Sequence, residues 1–306
     1  MDCLIRNPKN KKEVLEILSL LKICFPGMKE EYFIKRILRD PGYKRSLSFI
    51  MTTNGRIISH AQLFNKEITL NTGKKPFLGL GFICTSPEFR NKGHATKLLK
   101  HIMKDSGQRI LGLFTKITDY YKKLGFKIVP RKRIIIKSAD FNAPLAAGLK
   151  IRKFDARRNL SSVIRIYKKY FSSRQGAVNR NPADWKAQLS YFNEEKRLFL
   201  VAESDNQVKA YIRCKLIKPA NDRIEIVEYA SIDKTDDLIL DFISYLFKKL
   251  AIKEIRGWKY FLRPALKNTS RYEEEVDTKM MLRFNGSCRQ SDIKKGELCF
   301  LESDGF

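Results

Sequence analysis

Along the first 140 positions the spacing of apolar residues changes several times, and each change marks an element. Alternation is clearest over Leu47 to Thr52 and Arg56 to Phe64, which flank Asn54-Gly55 and so predict a tight hairpin. Phe77 to Thr85 is apolar throughout, as expected of a central strand buried on both faces. A helical period follows from about Gly93 to Asp105: Ala95, Leu98, Leu99, Ile102 and Met103 share one face, and Lys97, Lys100 and Lys104 lie outside it. The same reading places a strand at Leu4 to Arg6 and helices at Lys12 to Ile23 and Lys29 to Arg39. It continues with a strand at Ile110 to Thr115, a short helix through Tyr121, and strands near Phe126 to Val129 and Arg133 to Ser138.

After a looser stretch from Ala139 to Gly148 the order starts again. A strand is expected at Leu149 to Phe154, then helices at Ala156 to Phe171 and Pro182 to Phe192, the latter capped by Asn181. Arg197 to Glu203 and Lys209 to Leu216 flank Asp205-Asn206 as a second hairpin, and Arg223 to Ser231 leads into a helix from Lys234 to Leu250. This recurrence predicts a tandem duplication with units at 1–140 and 149–306, joined by a linker at 141–148. The fold class expected for each unit is α/β, a mixed and mostly antiparallel sheet with flanking helices.

Composition narrows the choice of partners only a little. Sixty-one Lys and Arg against 33 Asp and Glu leave the 306 residues at +28, while 43% hydrophobic and 11% aromatic content excludes a disordered basic tail. Such a charge attracts nucleic acid, anionic membrane and phosphorylated cofactors alike. No apolar run approaches the roughly 20 residues of a membrane span, and none near Met1 suits a signal peptide, so a cytoplasmic protein is expected. Six scattered cysteines without CxxC spacing read as reduced thiols, and three histidines, His60, His94 and His101, predict no metal site.

The segment from Ser86 to Thr96, joining the central strand to the apolar-faced helix, carries candidate chemistry. A loop opening a helix leaves backbone N–H groups unpaired at the positive end of the helix dipole, which suits a pyrophosphate. Gly93 permits close backbone approach, Ala95 keeps the first turn small, and Arg90 and Lys92 add charge. Arg90-x-x-Gly93-x-Ala95, after Ile83-Cys84-Thr85, resembles the acyl-CoA signature Q/R-x-x-G-x-G/A of the GNAT superfamily of N-acyltransferases. Tyr121-Lys122-Lys123-Leu124-Gly125-Phe126 resembles that superfamily's Tyr-x-x-x-Gly-Phe segment. The resemblance covers about residues 1 to 140, and the tandem layout is similar to mycothiol synthase and to the enhanced intracellular survival acetyltransferases without their sterol-carrier-like domain.

The resemblance implies an acetyl-CoA-dependent N-acetyltransferase acting on a primary amine of a small molecule or peptide. Backbone groups of Ile83, Cys84 and Thr85 would pair with the pantetheine arm at a bulge that splays the sheet. Arg90, Asn91, Lys92, Gly93, His94, Ala95 and Thr96 would hold the pyrophosphate, and Tyr121 would be the general acid. The central strand lacks the acid that many relatives use as base, which leaves His60, Glu67 and Glu88 as candidates. Phe306 matches the C-terminal Phe whose carboxylate serves the enhanced intracellular survival enzymes, but without their third domain a solvated tail is the expectation. Cys84, in an apolar strand with no basic neighbour in sequence, reads as packing.

In the second half Thr235, Asp236, Asp237, Leu238 and Leu240 fall on Arg90, Asn91, Lys92, Gly93 and Ala95, each change opposing phosphate binding, so a unit without a cofactor site is expected. Arg180, Trp185, Tyr211 and Glu228 are candidate pocket residues there, with core aromatics and a locally paired carboxylate as the competing reading. Two other functions stay open. A nucleic-acid- or ribosome-associated protein draws on Arg131, Lys132, Arg133 and Lys137 near Lys122, Lys123 and Lys127, though without a recognised motif. A non-catalytic acyl-CoA sensor sits poorly with the retained Arg90-x-x-Gly93 and Tyr121.

Overall fold

The Asn54-Gly55 turn, both residues at positive φ, closes β2 (Ser48–Thr53) on β3 (Arg56–Leu70) as expected. The computed structural model describes residues 3–40, 42–107, 109–144, 146, 148–194, 198–217, 222–233, 237–266, 271–285 and 298–300, with side chains of 191–194 excepted. β3 runs on past Phe64, and β4 (Gly73–Thr85) begins before Phe77, giving a long second hairpin. Its far end is held by the second half: Ile68 bridges Val178, Thr69 N–H donates to the Ala177 carbonyl at 2.9 Å, and Ile68 and Leu70 are buried. The polar Asn65 to Glu67 hides that extension in the sequence because the apolar cover arrives from more than a hundred residues away.

The first sheet also contains β1 (Leu4–Arg6), β5 (Ile110–Phe114) and β6 (Lys127–Ile128); the second contains β8 (Lys150–Lys153), β9 (Leu198–Ser204), β10 (Gln207–Leu216), β11 (Arg223–Ser231) and β12 (Glu254–Trp258). Two more strands exchange places. β7 (Arg131–Lys137) leaves the first half and inserts between β12 and β13 (Glu273–Asp277), while β14 (Met280–Phe284) leaves the second half and inserts between β5 and β6. The sheets thus have matching orders, β1-β2-β3-β4-β5-β14-β6 and β8-β9-β10-β11-β12-β7-β13. The sheet boundary therefore does not follow a chain boundary at 141–148, since each sheet holds one strand from the other side of it.

Side-chain chemistry shows why β7 crosses. Ile134 and Ile136 are fully buried in the second core, and Arg133 pairs with Asp277 at 2.9 Å and Glu225 at 3.2 Å. The Arg131 and Arg133 guanidiniums lie 4.1 and 4.3 Å from the Trp258 ring centroid, and Arg131 donates to the Phe300 carbonyl at 2.9 Å. Lys132 and Lys137 pair with Glu274 and Glu273 of β13. The cluster considered above for nucleic acid is therefore largely neutralised by carboxylates. On the other side Met280, Met281 and Leu282 of β14 fill the first core, where a Cβ on Gly112 would meet the Phe77 ring at 2.4 Å.

Helices cover both faces of the first sheet. α1 (Lys11–Cys24) and α2 (Glu30–Phe33, running into a π turn at Ile34–Leu38) pack on one face through Ile17, Leu18, Leu21, Phe33 and Ile37. α3 (His94–Asp105) covers the other through Leu98, Leu99 and Ile102, the stripe read from the sequence. α5 (Ala156–Phe171), α6 (Pro182–Glu194), α7 (Leu238–Leu250) and α8 (Lys259–Leu266) belong to the second half, with Asn181 capping α6 by accepting from Asp184 N–H at 2.9 Å. The sequence reading placed no elements where β12, α8 and β13 lie.

Candidate active site

β4 and β5 run parallel only from Phe77 to Gly79 against Ile110 to Gly112, then separate. On the β3 side the register shifts between His60 and Gln62, and opposite the shift Phe82 takes a positive φ of 49°. That backbone conformation is costly for a non-glycine residue. Aromatic packing holds it: the Phe82 ring lies 5.5 Å from Phe33 and 6.0 Å from both Tyr32 and Phe64. The expectation of a strand buried on both faces holds from Phe77 to Leu80 and fails at 81–83, which are half-buried because the sheet splays there.

The split opens a cavity of about 460 Å³. Ile83, Cys84 and Thr85 line one wall, with no strand paired to them on the β5 side among the described residues. Arg90, Asn91, Gly93, His94, Ala95 and Thr96 line another. Gly93 has φ +77° and open space where a Cβ would stand, so it both starts α3 and leaves the approach to its backbone clear. No side chain caps α3, and its first intrahelical bond is Lys97 N–H to Gly93 O, so the N–H groups of His94, Ala95 and Thr96 make none within the helix. Arg90 Nε donates to the Thr85 carbonyl at 3.2 Å, which places its guanidinium at the cavity. Lys92 is not among the lining residues; its Nζ lies toward the Glu88 carbonyl and the Phe89 ring.

Tyr121 sits in α4 (Thr118–Lys122) at the opposite wall. It is buried, with its ring 4.9 Å from Tyr120 and 5.8 Å from Phe126. Burial, reinforced by Tyr120, raises its phenol above the usual range, so it holds its proton at neutral pH. The hydroxyl makes no hydrogen bond among the described residues, whereas Tyr120 OH is 3.1 Å from Thr96 Oγ1. Burial and the nearby Lys97 and Lys92 lower the His94 imidazole, so it is neutral near pH 7.

Residues 5–129 match the family model described as an acetyltransferase (GNAT) domain. This segment is a GNAT domain. No curated protein matches the chain in sequence. A probable N-acyltransferase from Enterococcus faecalis has a similar fold, with TM-score 0.74 and 16% identity over 99% of this chain and 75% of that one. Eis1 from Mycobacterium abscessus gives 0.68 and 13% over 92% and 73%. N-myristoyltransferase from Saccharomyces cerevisiae with bound myristoyl-CoA gives 0.56 and 13% over 92% and 82%. These likenesses extend the shared fold beyond the GNAT domain into the second half.

None of the three candidate bases lines the cavity of the GNAT domain. Glu67 is exposed and paired with Lys74, and Glu88 makes a bidentate pair with Arg56 at 3.0 Å. His60 is fully buried; its Nδ1 lies 3.2 Å from the Phe82 carbonyl and its Nε2 has no partner among the described residues. Because a carbonyl only accepts, Nδ1 carries a proton in this bond. Burial pulls its pKa to about 4, against the weaker effect of that hydrogen bond. Since the folded value lies below the unfolded one, His60 supports the fold fully above about pH 6.5 and loses that support as pH falls toward 4, about 3 kcal/mol in all. Urea unfolding of wild type and His60→Asn at pH 7 and pH 4.5 checks this: the variant should show the shallower acid loss. Phe306 lies outside the described residues.

The sequence did not assign Cys24, Phe25, Phe89, Ile117 or Tyr120 to the acyl-CoA site, though all line the cavity; Tyr120 enters only as an aromatic beside the basic cluster. Phe89 and Tyr120 lie in or beside the two motifs and could have been found from them. Cys24 ends α1, sixty positions before Cys84, and no local signal pointed to it.

Among the described residues, the corresponding region of the second half holds packed aromatic side chains. β11 and β12 also separate, after Ile226 and Gly257, but Tyr229 lies between Phe261 and Phe242 at centroid distances of 6.0 and 6.4 Å, all three fully buried. Asp237 stands at the start of α7 in right-handed geometry, with Leu238 following; Thr235 and Asp236 lie outside the described residues. Arg180, Trp185, Tyr211 and Glu228, the candidate pocket residues, are core. Glu228 is fully buried, accepts from Arg180 at 3.0 and 2.7 Å, from Tyr211 OH at 2.6 Å and from Arg213 at 3.1 Å. Burial works to raise its carboxyl, and the two guanidiniums outweigh burial and hold it below the usual carboxylate range.

Proposed function

We propose that this chain transfers an acetyl group from acetyl-CoA to a primary amine at a single site in its GNAT domain. The observation that carries this reading is the cavity at the β4/β5 split, which joins an unpaired strand edge, an uncapped helix start and a buried protonated phenol. The open space above Gly93 fits a pyrophosphate on the N–H groups of His94, Ala95 and Thr96, with Arg90 adding charge. The free edge at Ile83, Cys84 and Thr85 suits the amide-bearing arm as an added strand. The donor supplies a thioester carbonyl to attack.

Tyr121 delivers its proton to the departing thiolate, a task for which a phenol held protonated by burial is suited. A thiol of pKa about 8.5 leaves readily, so the acid need only be within reach. The acceptor poses the larger barrier: an alkyl ammonium of pKa about 10.4 is neutral in about one molecule in 2,500 at pH 7, which costs about 4.6 kcal/mol. With no carboxylate lining the cavity among the described residues, acceptors with lowered amine pKa should turn over fastest.

Filled space at Tyr229 and the carboxylate at Asp237 support a second unit without a cofactor site, which serves to complete the first sheet through β14. The five described cysteines are all free thiols, which suits a cytoplasmic setting. Acetyl-CoA at 100 times its dissociation constant should add about 2.7 kcal/mol to the stability of the fold. A thermal-shift titration followed by thiol release over a panel of amines tests the reading. No shift rejects the cofactor, and a shift with no turnover on any amine points to a sensor.

A further inference from the structure

Two cysteines from distant parts of the chain meet in the cavity wall. Cys24 ends α1 and Cys84 lies in β4; both line the cavity and belong to one packed cluster there. As a thiol, Cys24 donates to the Thr85 carbonyl at 3.4 Å, the same oxygen that accepts from Arg90 Nε at 3.2 Å. Arg90 thus stands beside Cys24, the two sharing the Thr85 carbonyl as acceptor. The surroundings differ for the two thiols. Cys24 is half-buried, whereas Cys84 is buried with its carbonyl tied to Ser59 Oγ at 2.7 Å.

We propose that Cys24 and Cys84 form a peroxide-sensitive thiol pair in the acyl-CoA cavity, with Cys24 the attacking sulfur and Cys84 the resolving one. The neighbouring Cys84 thiol and the charge of Arg90 pull the Cys24 thiol down to about 6, against the cost of burial, which favours its reactive thiolate form. Cys84 is pushed up by the neighbouring sulfur and by burial, and keeps its proton until Cys24 has been oxidised. The Cys24 thiolate attacks one oxygen of hydrogen peroxide; an S–O bond forms, the O–O bond breaks, and the leaving hydroxide takes a proton to become water. Cys84 then gives up its proton and attacks the Cys24 sulfur; an S–S bond forms, the S–O bond breaks, and hydroxide with that proton leaves as a second water. Two thiols lose two electrons and one peroxide gains them.

The covalent link draws the end of α1 onto β4 beside Thr85, across the edge offered to the donor's arm, and it removes the anion next to Arg90. Bound acetyl-CoA should in turn shield Cys24, a part of the inference that rests on the function proposed above. The test treats the full chain with hydrogen peroxide at neutral pH, with and without acetyl-CoA, and maps peptides without reduction. A Cys24–Cys84 cross-link reversed by dithiothreitol is expected, with Cys84→Ser collecting sulfinic acid on Cys24 instead. Iodoacetamide should label Cys24 at least tenfold faster than the half-buried Cys3. Absence of the cross-link in the ligand-free protein, or labelling of Cys24 no faster than Cys3, overturns the thiol pair whatever acetyl-CoA does. A cross-link that forms equally fast at saturating acetyl-CoA upholds the pair and counts against the cofactor reading.

Discussion

Tyr121→Phe is expected to lower kcat by about 10²- to 10⁴-fold while leaving the acetyl-CoA thermal shift intact. The phenol oxygen makes no hydrogen bond among the described residues, so its removal costs the fold little, and the ring keeps its contacts with Tyr120 and Phe126. What disappears is a proton held ready by burial at the wall facing the unpaired edge of β4. The neighbouring Tyr120→Phe is the control, because its hydroxyl is engaged with Thr96 and its loss should change kcat less than tenfold. Steady-state thiol release with any competent amine decides the matter. A Tyr121→Phe enzyme within threefold of wild type would reject the assignment, and a large loss in Tyr120→Phe alone would move the role one residue upstream.

Glu228→Ala should destabilise the protein by about 3–5 kcal/mol, the largest effect on stability expected of any single substitution here. The carboxylate is fully buried and shared by the guanidiniums of Arg180 and Arg213, with Tyr211 OH as a third donor. Without it two buried cations lose their common counter-charge, though aromatic faces remain near both: Arg180 lies 4.1 Å from the Tyr167 ring and Arg213 5.7 Å from Phe199. Glu228→Gln keeps the shape and part of the hydrogen bonding, and should fall between wild type and Ala. Urea unfolding at pH 7 reads both variants. A loss below about 1 kcal/mol would mean that the network contributes little beyond its packing.

Most of the first sheet was legible because its signals are local. Asn54-Gly55 specified a hairpin through backbone conformations that few residues tolerate, and the stripe of Leu98, Leu99 and Ile102 fixed one face of α3. The loop expected to hold a phosphate was legible as a local feature for the same reason: Arg90, Gly93 and Ala95 lie within a few positions of each other, and the structure puts all three at the cavity. Residues that act at long range were harder to place. Lys92 carries the charge the loop seemed to want, yet points to Glu88 and Phe89. The run Arg131 to Lys137 looked like a basic patch until β13, some 140 positions on, supplied the opposing carboxylates.

The sequence by itself determined the hairpin at Asn54-Gly55, the apolar face of α3 and a glycine-bearing basic loop with a tyrosine beyond it, and it raised the expectation of two similar halves, the second without such a loop. Each of these follows from turn chemistry, helical period and residue type over a few consecutive positions. Only the tertiary structure decided that the halves trade β7 and β14, that the cavity opens where β4 leaves β5, and that Cys24 meets Cys84 inside it. Strand pairing between distant segments follows complementary burial and charge across the whole chain, such as Ile134 and Arg133 against Trp258 and Asp277, and no local window contains both partners.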